Sequence, residues 1–199
     1  MKLLQALAGL LPALAVAQTP PADASRRLEA ELRLGMERIE LPGNEKMGLL
    51  GASYLFQVRP GLRVGPAMYG AISGHRGGFF TFGAEGAWRR PVAGPLEAQL
   101  GLFAGGGGGG AAPVGGGLMW RPHADLLWNF GGYRAGASLS QVRFSNGDIS
   151  SRQLGLVFSA DTRFNYLPLD GGPAAALVAE RPGLGFDRVL AVGGAYRPR

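Results

Sequence analysis

Over most of the segment 28–166 an apolar side chain recurs at every second residue, and no other feature restricts the fold as strongly. The run 120–130 shows it best. Trp120, Pro122, Ala124, Leu126, Trp128 and Phe130 alternate there with Arg121, His123, Asp125, Leu127 and Asn129. A period of two belongs to a β-strand, whose side chains point to opposite faces in turn. Eight such segments follow one another, near 28–39, 49–58, 62–72, 79–89, 96–104, 120–130, 133–144 and 152–166. The expected fold is all-β: an antiparallel transmembrane β-barrel of eight strands, with ten as the alternative.

The connections support that count. Those at 40–47, 73–78, 105–117 and 145–151 are polar or glycine-rich and often long. The intervening ones, Arg59-Pro60-Gly61, 90–95 and Gly131-Gly132, are tight and marked by proline or glycine. Long loops at one end and short turns at the other are the pattern of a bacterial outer-membrane barrel. Pro66 and Pro122 each remove a ladder donor from mid-strand, so a bulge or poor pairing is expected at both.

Upstream, Lys2, the apolar stretch 3–14 and Ala15-Val16-Ala17 have the layout of a secretory signal peptide, placing cleavage near Gln18. The expected organisation is a signal at 1–17, a periplasmic segment at 18–27, the barrel at 28–166, and a tail or further strand at 167–199. A strand near 186–196 would supply the ten-strand alternative. The chain has no cysteine, which suits a closed hydrogen-bonded barrel better than a small extracellular domain. It carries 20 Lys+Arg against 14 Asp+Glu, but the arginines are scattered singly, so nucleic acid is a poor partner. Two histidines and no cysteine argue against a transition-metal site. The glycine runs 105–110 and 115–117 lack a following Gly-Lys-Ser/Thr, so no nucleotide or other cofactor is expected. They fit a flexible external loop or strand ends packed too closely for side chains.

Barrel size decides which face points outward. The interior of eight strands is filled by modest side chains, and Trp88, Trp120 and Trp128 would overcrowd it. The apolar face is therefore assigned to lipid, with Trp128, Phe130, Tyr133, Phe164 and Tyr166 as an aromatic girdle at the short-turn end. The lumen then holds Glu29, Glu31, Arg33, Glu37, Glu85, Glu97, Arg121, His123, Asp125, Arg134, Asp161 and Arg163. Acids from the first, fourth and fifth strands are expected to meet bases from the sixth, seventh and eighth. The expected result is a plug of ion pairs, with a polar channel or proton relay as the alternative. Arg121, His123 and Asp125 share one strand face at spacings of about 7 Å, too far for direct contact through the backbone rise alone. His75, beside Arg76 in a polar loop, is expected to be solvated.

Gln141-Val142-Arg143-Phe144-Ser145-Asn146-Gly147 is the most specific segment. Here the chain resembles the PagL-type lipid A 3-O-deacylases, eight-stranded outer-membrane barrels with a His-x-Ser-Asn motif late in the seventh-strand region. The resemblance implies a site on the outer wall, with Ser145 at the nucleophile position and Asn146 after it. Arg143 occupies the position of the family's general base. Arginine stays protonated and cannot accept the serine proton. No acid follows between Asp148 and Asp161. The expected role is therefore structural or lipid- and envelope-binding, in the bacterial outer membrane. Arg143, Ser145 and Asn146 would contact lipid or lipopolysaccharide, and Arg76 and Arg152 lie close by in sequence to loops that face its phosphates. A lipid A-modifying esterase using Ser145 and a small pore are the alternatives.

Overall fold

The structure, a computed structural model, describes residues 26–166. The expected signal at 1–17, almost all of the segment 18–27, and the tail or extra strand at 167–199 lie outside the described residues. Eight strands make up the fold: β1 (Arg26–Leu41), β2 (Glu45–Arg59), β3 (Leu62–Ser73), β4 (Phe80–Ala93), β5 (Leu96–Gly108), β6 (Leu118–Asn129), β7 (Tyr133–Phe144) and β8 (Ser150–Tyr166). Each pairs antiparallel with its neighbour in sequence, and β8 returns to β1, closing the barrel. The closing ladder runs from Arg26 opposite Tyr166 to Glu37 opposite Gly155. Both edges of the sheet are thereby consumed, which removes the ten-strand alternative for this barrel.

Most strands run further than the alternation suggested, chiefly at the loop end. The first connection, expected across 40–47, shrinks to a single turn at Pro42–Asn44, where Gly43 and Asn44 take φ of 78° and 62°. Glycine and asparagine tolerate that left-handed backbone, so the hairpin closes tightly. The glycine run belongs partly to β5, which extends to Gly108. A Cβ on Gly107 would lie 2.6 Å from the Thr81 Cα, so β4 and β5 approach more closely than side chains allow. Beyond the strand, a Cβ on Gly110 would meet the Arg76 carbonyl oxygen at 2.6 Å. Close packing, and not an open flexible loop, explains these glycines.

Pro66 and Pro122 interrupt pairing without shifting it. Ser53 opposite Ala67 and Phe56 opposite Val64 share one register across Pro66. Trp120 opposite Arg143 and His123 opposite Ser140 do the same across Pro122. The register shifts fall elsewhere, at Gly48/Leu49, Gln57/Arg59 and Pro91/Ala93.

The two faces differ sharply. Leu126, Trp128, Leu139, Leu154 and Leu156 stand exposed on the outside, while Glu31, Arg33, Glu85, Arg121 and Asp125 are buried inside. On β6 the outward apolar run from Leu118 to Phe130 covers about 40 Å along the strand, or about 30 Å of height at the usual barrel tilt. Tyr133 stacks on Phe158 (6.3 Å) and Phe164 on Tyr166 (6.3 Å) toward the short-turn end.

Alternation did not reveal that the lumen is apolar at the loop end. Ile39, Leu41, Met47, Leu49, Phe79, Phe103, Met119, Val142, Phe144 and Ile149 form one buried cluster there. Phe79 meets Phe144 edge-on at 6.0 Å, and Tyr69 meets Phe103 at 4.8 Å. The inner face packs against itself there, and on β3, β4 and β6 the outer face is apolar as well, with Ile72, Phe80, Phe82, Leu118 and Trp120 exposed.

Leu126 is 52% exposed on the outer face of β6. Leu126→Arg should lower unfolding stability in lipid vesicles by about 2–4 kcal/mol, the cost of a cation near the bilayer midplane. A water-facing position would change by only about 0.5 kcal/mol. Urea titration of the reconstituted variant measures which applies.

Candidate functional site

The lumen is built from ion pairs that cross the barrel. At mid-height Arg33 of β1 reaches Glu85 of β4 (3.3 Å) and Asp125 of β6 (2.7 Å). Glu85 also accepts hydrogen bonds from Ser53 Oγ (2.8 Å) and the Tyr69 hydroxyl (2.9 Å). The His123 ring lies between the two carboxylates, with Nδ1 at 3.1 Å from Asp125 Oδ1 and Nε2 at 3.2 Å from Glu85 Oε1. Gly101 makes room for that ring, since a Cβ there would collide with His123 Nε2. Toward the loop end, Arg121 forms a two-pronged pair with Glu37, both contacts at 2.8 Å. Ser140 donates to Glu37 at 2.6 Å. Toward the short turns, Arg89 pairs closely with Glu31, and Arg63 lies 3.4 Å from the same carboxylate. Arg134 bridges Glu97 and Asp161, at 2.7 Å each.

Five guanidiniums (Arg33, Arg63, Arg89, Arg121, Arg134) thus face six carboxylates (Glu31, Glu37, Glu85, Glu97, Asp125, Asp161). Pairing at this density is what permits charges to remain in so narrow a space.

Several sequence expectations change here. Glu29 and Arg163 are exposed and join none of these pairs, because they lie where the barrel opens to solvent at its short-turn end. His123 and Asp125 do touch, since two long side chains on one strand face lean together across the backbone spacing. Bases do not come only from the later strands: β1 supplies Arg33 and β4 supplies Arg89, while β6 and β8 supply the acids Asp125 and Asp161. Arg76 is held by Glu45 (2.7 Å) and the Ala111 carbonyl (2.6 Å), which ties three loop-end segments together. Sequence reasoning missed Arg63, Tyr69, Arg89 and Gln99. Arg89 has the inward parity of Glu85, and that signal was available. Arg63 and Tyr69 share the parity of a strand discounted for its proline.

A second feature lies on the outside. Where Pro122 interrupts the β6–β7 ladder, a depression of roughly 460 Å³ is lined by Leu102, Trp120, Pro122, Gln141, Arg143 and Ser145. Trp120 Nε1 donates to Ser145 Oγ at 2.9 Å. The Ser145 amide is held by the Leu118 carbonyl at 3.0 Å. Arg143 and Ser145 are exposed. Asn146 is exposed in the following loop, its carbonyl packed against Gly115. His123, Glu85 and Asp125 lie on the opposite face of the sheet from Ser145. Among the described residues no group of three or more His, Asp and Glu side chains is arranged to hold a metal ion.

No protein-family model matches the sequence, and no curated protein matches it at a significant level. Among solved structures, the chain is similar to the crystal structure of Neisserial surface protein A (NspA), with a TM-score of 0.47 and 10% identity over 67% of this chain and 96% of that one. It is also similar to a structure from the de novo design of transmembrane β-barrels, with a TM-score of 0.45 and 10% identity over 68% of this chain and 95% of that one. The chain itself forms a closed eight-stranded antiparallel barrel.

Arg121→Met would strand the Glu37 carboxylate in the lumen, and should cost about 3–5 kcal/mol. Combining it with Glu37→Leu should recover most of that loss. A double-mutant cycle by urea unfolding reads the coupling.

Proposed function

We propose that the protein is a bacterial outer-membrane barrel, closed to solute flow, that binds lipid or other envelope components on its outer wall without catalysis. The depression at Arg143 carries this reading, because it sets Gln141, Arg143 and Ser145 against the apolar side chains of Leu102, Trp120 and Pro122 on the outer wall. Polar groups placed against lipid are retained where they have a partner to meet. The signal-like segment 1–17 supports export to that location.

The resemblance to PagL-type deacylases supports a lipid-facing position for Ser145 and gives less support to hydrolysis. The Ser145 hydroxyl receives the Trp120 indole proton, and the side chain two residues before it is a guanidinium. A serine without a proton acceptor stays a weak nucleophile. The pore alternative meets two obstacles in series, the apolar cluster around Phe103 and Phe144 and the ion pairs beneath it.

Four measurements test the proposal. Unheated protein extracted from membranes should migrate differently on a gel from boiled protein. A purified mature chain that stays monomeric in water without detergent would contradict it. Lipid A from cells with and without the protein should have the same mass. Loss of one acyl chain that disappears in Ser145→Ala would establish the esterase instead. In planar bilayers the wild type should show no steady single-channel conductance.

A further inference from the structure

Four cations face outward just below the loop end, on four consecutive strands: Arg143 on β7, Arg152 on β8, Arg38 on β1 and Lys46 on β2. Each lies within three residues of the loop end of its strand, and each is exposed. They form a chain of diagonal neighbours. Arg143 is opposite Ser150 and Gln141 is opposite Arg152, so Arg143 and Arg152 sit diagonally across the β7–β8 ladder. Extending the β1–β8 register one residue past Glu37–Gly155 sets Arg38 opposite Leu154, diagonal to Arg152. Arg38 is opposite Gly48 and Glu40 opposite Lys46, which makes Lys46 diagonal to Arg38. Diagonal neighbours lie about 7–8 Å apart at the backbone, within joint reach of two long side chains around one phosphate.

Among the described residues the row keeps a net positive charge: its four cations face one acid, Glu40, which is opposite Lys46 and, by the extended β1–β8 register, opposite Arg152. Among the described residues none of the four takes part in an ion pair, in contrast to the paired arginines of the lumen and to Arg76. The row is also one-sided. At corresponding positions the other four strands present Gly70 and Ile72, Phe80 and Phe82, Gly106 and Gly108, and Leu118 and Trp120. Directly beneath Arg152 on its own face are Leu154 and Leu156, 74% and 70% exposed, with Leu139 opposite Leu154. A cationic row above a strongly apolar strip matches one kind of ligand, an anionic lipid with its headgroup at the row and its chains along the strip.

We propose that the β7–β8–β1–β2 face is a binding site for a lipid carrying two or more phosphates, each phosphate gripped between adjacent cations of the row. Guanidinium groups favour this task, because their paired N–H donors match phosphate oxygens. A single phosphate engages one gap in the row, and a second phosphate on the same molecule engages the next without a second loss of freedom. The inference rests on the proposed function, naming the ligand class of the lipid-facing wall and extending its contacts from Arg143 to Arg152, Arg38 and Lys46.

The test is reconstitution of the mature chain into phosphatidylcholine vesicles doped with bisphosphorylated lipid A, its monophosphorylated form, or phosphatidylglycerol. Retained lipid is then counted by native mass spectrometry after detergent release. The bisphosphorylated lipid should be retained preferentially, and the preference should weaken as salt is raised. Arg143→Gln with Arg152→Gln should reduce its apparent affinity about 25-fold, from about fivefold per cation lost near an anionic headgroup. Arg90→Gln, outward at the short-turn end, should leave it unchanged. Millimolar inorganic phosphate should not displace the lipid, because it lacks the chains. Equal retention of the one- and two-phosphate lipids, or an equal loss in Arg90→Gln, overturns the site. A chain that inserts and folds but shows no preference fails this inference alone; one that does not insert fails the proposed function as well.

Discussion

An open sheet leaves a row of unpaired N–H and C=O groups along each edge, and closing it into a barrel pairs them within the chain. The β1–β8 ladder does this by joining the last strand to the first. Most other features follow from closure. With eight strands the interior is narrow, so the inward side of each strand accepts small residues or side chains that can interlock. Glycines serve where strands press together, as Gly101 does beneath the His123 ring and Gly107 does against β4.

The interior divides into two layers with different physics. Near the loops, aromatic and aliphatic side chains exclude water by packing. In the middle and toward the short turns, the same excluded volume is filled by carboxylate–guanidinium pairs, with Tyr69 and Ser53 donating to Glu85 and Gln99 to Asp125. Such pairs add little net stability compared with apolar packing, yet each is costly to break singly. They therefore specify which strands face one another across the lumen more than they strengthen the fold. Arg121 can satisfy Glu37 only if β6 and β1 stand in the observed relation.

The strand count, the orientation of the faces and the eighth-to-first closure were legible because a period of two over long segments admits few alternatives. β7 was placed to the residue at both ends. The loop end was harder to read. Alternation weakens where both faces are apolar, as around Phe79–Phe82 and Leu118–Trp120, and β5 continues there into a segment whose glycines look like loop. Individual charge pairs were partly legible: parity identified nine of the eleven paired charges and wrongly added Glu29 and Arg163, but partners are fixed by barrel shear, which a single sequence does not display. The unpaired row from Arg143 to Lys46 was hidden for the same reason, since its members are far apart in sequence and adjacent only through three strand registers. Ser145 stood out through a short motif, whereas its indole partner Trp120 came from the neighbouring strand.

The absence of cysteine from the chain makes the central claim directly measurable. Single cysteines placed in turn along β6 from 121 to 128, each carrying a nitroxide label in lipid vesicles, report which side meets hydrocarbon. Labels at 122, 124, 126 and 128 should collide readily with dissolved oxygen and hardly at all with a water-soluble nickel chelate, while labels at odd positions should be shielded from both. High nickel accessibility at the even positions would mean that the apolar face meets water, and the account of this barrel as a lipid-facing, inwardly charged structure would be wrong.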